Sequence, residues 1–133
     1  MKDLDSDALI KHLADSAEKD YLTMLNLFES NDYNWSLFIG HIVIEKYLKA
    51  CIVKATGKHA PFSHDLLKLA KQTSLALNEE MSDQLDAITL FNINSRYDSY
   101  KHDFYKMCTK EFTTEWIGKI KKLHVWIRDK LFE

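Results

Sequence analysis

The stretch WSLFIGHIVIEKYLKACIVKA, residues 35–55, decides the fold of this chain. Trp35, Phe38, Ile39, Ile42, Val43, Ile44, Tyr47, Leu48, Cys51 and Ile52 cover most of the circumference of a helix. A helix apolar nearly all round belongs at the centre of a domain, buried on more than one side. His41, Glu45, Lys46 and Lys49 interrupt it, and charges on such a helix are paired or face a groove. His41, Glu45 and Lys49 fall at i, i+4 and i+8, along one face. Two readings of that stripe stand side by side. In one, Glu45 pairs with Lys49 or Lys46 and His41 is capped or solvent-facing. In the other, the stripe lines a groove in which Lys46 or Lys49 meets phosphate or an RNA backbone.

Helical periodicity extends in both directions from this rod. Upstream, Ile10, Leu13, Ala14, Ala17, Tyr21, Met24, Leu25 and Phe28 predict a helix from about 6 to 30, with Ser6 as its N-cap. Asn31, Asp32 and Asn34 form a polar turn. Downstream, Gly57 stops the central helix, Pro61 lies in a loop, and Ser63 caps a helix predicted over 64–77. Another helix is expected from Ser82, fraying at Asn92, Asn94 and Ser95, and a last one over 111–131. The segment SRYDSYKHDFYKMCTKE shows no clean stripe and reads as an irregular loop. The expected fold is all-α: an up-and-down bundle of four to five helices in a single domain, residues 1–133.

Composition narrows the function classes. The chain has 133 residues, 46% hydrophobic and 29% charged, with three Gly and one Pro, too few for a turn-rich β-sandwich. Its net charge of −2 supplies no overall basic field for nucleic acid, so any RNA contact must come from a local patch. Cys51 and Cys108 read as buried or incidental free thiols. No signal-like or membrane-length apolar run is visible, and the cytoplasm is the expected location, away from any membrane.

Several polar constellations are candidates for chemistry. SHDLLKL, residues 63–69, is a helix-start signature, with Asp65 near the positive end of the dipole. His59, His64 and Asp65 lack the spacing of a metal site, so neither metal nor cofactor is expected. RYDSYKHDFY, residues 96–105, holds Arg96 and His102. On one continuous helix the two would stand about 120° apart, so only a loop would let them converge. A permanent guanidinium beside an imidazole suits metal-free phosphodiester cleavage: Arg96 stabilises developing phosphorane charge and His102 moves the proton of a 2′-hydroxyl. Alternatively, Arg96 pairs with Asp98 or Glu45 and His102 is simply exposed. Lys119, Lys121, Lys122, His124, Arg128 and Lys130 mostly fall opposite the last helix's apolar stripe, as a solvated face would, with attraction of RNA as the alternative.

Three ordered motifs carry a resemblance: His41-x3-Glu45-Lys46-x-Leu48-Lys49-Ala50, then Ser63-His64-Asp65-Leu66-x2-Leu69, then Arg96-Tyr97-Asp98. They resemble the EKxLKA helix, the THDL-like helix start and the RYPD-like turn of HEPN domains (higher eukaryotes and prokaryotes nucleotide-binding), over about residues 8–131. The likeness is to stand-alone bacterial and archaeal members and to nucleotidyltransferase substrate-binding subunits. It implies a helical bundle that forms homodimers and pairs with a minimal nucleotidyltransferase in a toxin–antitoxin-like system. Some members are metal-independent endoribonucleases built on an Arg, four to six residues, then a His, a spacing that Arg96 and His102 fit. The sequence therefore suggests a homodimeric module binding a nucleotide, RNA or a partner, with an endoribonuclease toxin using Arg96 and His102 as the alternative. Candidate nucleotide or RNA contacts are His41, Glu45, Lys46, Lys49, His64, Tyr97 and Tyr105.

Overall fold

The computed structural model describes residues 4–133. Helices are α1 (Ser6–Glu29), α2 (Tyr33–Thr56), α3 (Leu66–Ala70), α4 (Glu79–Arg96), α5 (Asp98–Met107) and α6 (Lys110–Leu131), and no strand occurs among the described residues. The expected all-α bundle is therefore present. It has four long helices and two short ones, one element more than the largest number expected.

α2 is the axis. It packs against α1, α6, α4 and α3, and Leu37, Val43, Ile44, Tyr47, Leu48, Ala50 and Ile52 are all buried. Gly40 lets α6 come close: a Cβ there would lie 2.7 Å from Ile120 Cδ1 and 3.1 Å from Met24 Sδ. The Ser36 hydroxyl donates to the Met24 carbonyl at 2.9 Å, a buried tie to α1. Lys54 Nζ donates to the Lys130 and Leu131 carbonyls, closing the C-terminus of α6. Both cysteines are buried free thiols, and burial pushes Cys51 up to about 11 and Cys108 up to about 12, so both resist ionisation.

Several boundaries differ from the sequence reading, each for a local reason. Asp5, not Ser6, caps α1, its carboxylate accepting from Ala8 N at 3.0 Å. α2 begins two residues before Trp35 and ends, as expected, at Gly57, which is left-handed at φ 72°. α3 is five residues long rather than spanning 64–77, and Asp65, not Ser63, is its cap. After Ala70 the Thr73 hydroxyl donates to the Ala70 carbonyl at 2.6 Å and accepts from Leu75 N, competing with the helical ladder. α4 starts earlier than Ser82, at Glu79, where Asn78 accepts from Met81 N and Glu79 and Glu80 favour the dipole. It runs through Asn92, Asn94 and Ser95 without fraying.

The largest correction concerns residues 98–107, which form a helix rather than an irregular loop. Tyr97, extended at φ −96° and ψ 123°, separates α4 from α5. Phe104, 2% exposed, enters the core against Phe91, with ring centroids 5.5 Å apart. Tyr97, Tyr100 and Tyr105 all remain more than half exposed. The stripe is invisible in sequence because four aromatic rings crowd the segment and only one is buried.

Candidate functional site

The sequence stripe and the SHDLLKL motif meet at a polar cluster between α2, the loop before α3, and α4. His41 is fully buried. Its Nε2–H donates to the His64 carbonyl at 2.9 Å, and its Nδ1 accepts from Asn92 Nδ2 at 3.3 Å. Glu45, 8% exposed, accepts from His64 Nδ1 at 2.7 Å and from Lys49 Nζ at 3.1 Å. Lys49 Nζ also lies 5.9 Å from the centre of the Phe62 ring, which is almost wholly exposed. His41, Glu45, Lys49 and His64 thus form one internally satisfied chain. His41 is neither capped at the surface nor solvent-facing, since it faces the interior.

Lys46 points elsewhere. It donates to Asp20 Oδ2 at 2.6 Å and Ser16 Oγ at 2.7 Å, fastening α2 to α1. That engages the cation that the sequence left open for Glu45 or for phosphate.

Burial holds His41 below its ordinary value, and the charges of His64 and Arg96 add to this against the opposing pull of the His64 carbonyl and Glu45. The unfolded chain therefore takes up a proton that the folded chain refuses once the pH drops below about 6.5, and stability falls with pH. Urea unfolding at pH 7.5 and 5.5 should show a loss at the lower pH that His41→Gln, which keeps hydrogen-bonding capacity without titrating, reduces. An equal loss in both proteins would show that His41 is not its source.

A second polar cluster was not anticipated. Glu18 on α1 accepts from the buried Tyr47 hydroxyl and from His124 Nε2, the latter at 2.5 Å. Tyr21 stacks on the His124 ring at 4.1 Å. Burial raises the Glu18 carboxyl, but the Tyr47 and His124 hydrogen bonds and the charges of His124 and Arg128 outweigh it, leaving Glu18 below its ordinary value. Its hydrogen-bond donors lie 29 and 106 residues away in sequence, so no spacing rule points to the cluster. His124 accordingly leaves the solvated basic face assigned to it and sits in the core, 2% exposed.

Arg96 and Tyr97 are exposed at the end of α4, the guanidinium 5.7 Å from the ring centre. Arg96 forms no ion pair among the described residues, with Asp98 and Glu45 included. His102 is exposed one helix further on. Asp98, Lys101, His102 and Tyr105 follow i, i+3, i+4, i+7 on α5 and line a cavity of about 500 Å³ against the first turn of α2. Arg96 does not line that cavity, so within one copy the two candidate catalytic side chains open onto different surroundings. Among the described residues no three His, Cys, Asp or Glu side chains converge to hold a metal ion, and no described helix is long and apolar enough to cross a membrane.

The family model for the HEPN domain matches residues 10–130, nearly the whole chain. The chain belongs to the HEPN domain family. No curated protein and no solved structure matches it. For this HEPN domain, the EKxLKA-like and THDL-like motifs become legible as structure: Glu45 accepts from both His64 and Lys49, and Asp65 caps α3. The third motif, Arg96-Tyr97-Asp98, is the hinge between two helices, with its side chains open to solvent.

Proposed function

We propose that this HEPN domain is a single-domain RNA- or nucleotide-binding module that works as a homodimer alongside a minimal nucleotidyltransferase, as in toxin–antitoxin-like pairs. The observation that carries the reading is the exposed Arg96 guanidinium, without an ion-pair partner among the described residues and set over the Tyr97 ring, on a chain of net charge −2. A free cation beside a free aromatic face is what phosphate and base contacts require. The other candidate cations near α2, Lys46 and Lys49, are already engaged by carboxylates. Leu90 and Ile93, at i and i+3 on α4, and Tyr97 just past its end are exposed apolar residues near Arg96, which supports a second copy covering that edge.

Binding is favoured over cleavage because Arg96 lies outside the cavity that His102 lines, so one copy does not bring the two side chains together. The test is binding of short single-stranded RNA by the purified protein with chelator present. Wild type should bind, and Arg96→Ala should weaken binding by about tenfold or more, the worth of one charge-assisted contact. Absence of binding at tens of micromolar by a dimeric preparation defeats the reading, and a monomer in solution defeats the homodimer. RNA cleaved under these conditions, with His102→Ala restoring it, would instead establish the endoribonuclease.

A further inference from the structure

The polar chain through the core reaches the surface at one open atom. Glu45 is nine-tenths buried and, as a carboxylate held by Lys49, can only accept, so His64 Nδ1 carries the proton of their 2.7 Å bond. In the neutral imidazole His64 Nε2 is then an acceptor. It has no hydrogen-bond partner among the described residues and is not sealed from solvent, the side chain being 40% exposed. His41 and His124 also lie within reach of a carboxylate, but both are buried. Among the described residues, only at His64 does a buried carboxylate orient an imidazole whose other nitrogen is open.

An aromatic face stands beside that nitrogen. Phe62 is 93% exposed. Its ring meets His64 edge-on, 5.6 Å between centroids, and Lys49 Nζ lies 5.9 Å from its centre, so the ring is positioned without being covered. A lone exposed apolar side chain is ordinary, but one bracketed by an oriented imidazole and a lysine has the make-up of a single-strand stacking platform. The core links it to the Arg96 edge. His41 joins the His64 carbonyl to Asn92 of α4, and Arg96 stands one turn beyond Asn92. The charges of His64 and Arg96 both bear on the His41 ring, so the two side chains flank one buried imidazole.

Resting on the RNA-binding reading above, we infer that the loop before α3 is a second nucleotide subsite. In it a base stacks on Phe62 and its ribose 2′-hydroxyl donates to His64 Nε2. DNA lacks that hydroxyl, and an acceptor held in place by Glu45 rewards it, so the subsite selects RNA over DNA. Every base has a face to lay on Phe62, so the subsite reads the sugar and not the base.

The experiment compares fluorescein-labelled r(UUUUU) and d(UUUUU), which differ only at the 2′-hydroxyl, by anisotropy titration with the full chain and chelator present. Wild type should bind the ribo-oligonucleotide about fivefold more tightly, the worth of one hydrogen bond. His64→Asn, checked for helicity, keeps an amide N–H for Glu45 but has nothing at the Nε2 position, and should bring the two affinities together. Phe62→Ala, at a solvent-exposed position, should weaken both by about fivefold or more, the worth of a stacked base. Arg96→Ala should weaken both and keep their ratio. Equal affinities in wild type, a preference that survives His64→Asn, or binding indifferent to Phe62→Ala overturns the subsite while RNA binding itself stands. Where neither oligonucleotide binds, poly(U) and poly(dU) take their place, and failure of both ends the RNA-binding reading and the subsite with it.

Discussion

Phe104→Ala should cost about 3–5 kcal/mol, the usual loss for a large aromatic removed from a packed core, and the damage should concentrate in α5. Phe104 is the only residue of that ten-residue helix buried in the core. Its ring sits on Phe91, which in turn meets Phe112 and Trp116 edge-on. A helix this short is not stable alone, so without its anchor it loses its reason to be helical. Hydrogen exchange should find the amides of residues 98–107 released while those of α2 stay protected. Continued protection of α5 in the variant would mean that contacts other than this ring hold the helix.

Glu18→Ala is expected to be comparably severe, although Glu18 itself is partly exposed. The reason lies in what it leaves behind. The Tyr47 hydroxyl is fully buried and His124 is 2% exposed, with His124 Nδ1 already lacking a partner. Two orphaned buried groups at about 1–3 kcal/mol each predict a loss of about 2–6 kcal/mol. Because the cost arises from the orphans, removing them should recover part of it. Glu18→Ala combined with Tyr47→Phe should therefore lose less stability than the sum of the single changes, measured as urea midpoints in a double-mutant cycle. Strict additivity would show that the Glu18–Tyr47 hydrogen bond contributes nothing to the effect.

Both predictions concern contacts that had no signature in the sequence. Periodicity located the long helices because each buries a repeated stripe, and the repetition is itself the signal: Ile10 to Phe28 for α1 and Phe112 to Leu131 for α6. It failed at α5, where a single buried Phe beside two exposed tyrosines repeats nothing. Caps were legible in kind but off by position. Ser6 and Asp5, or Ser63 and Asp65, are equally good acceptors, and only the chain's path decides which oxygen meets an N–H.

The candidate site divides in the same way. By themselves, the residues determined the class of the fold, the central place of α2, and the membership carried by the Glu45, His64 and Arg96 motifs. All of these follow from local spacing along one chain. Only the tertiary structure decided that His41 is sealed in the core and that Lys46 belongs to α1. It alone paired Glu18 with a histidine 106 positions away, and brought Asn34 of α2 and Tyr105 of α5 to the lining of one cavity. Those outcomes depend on which faces of separate helices meet, and the packing of side chains from distant segments sets that meeting.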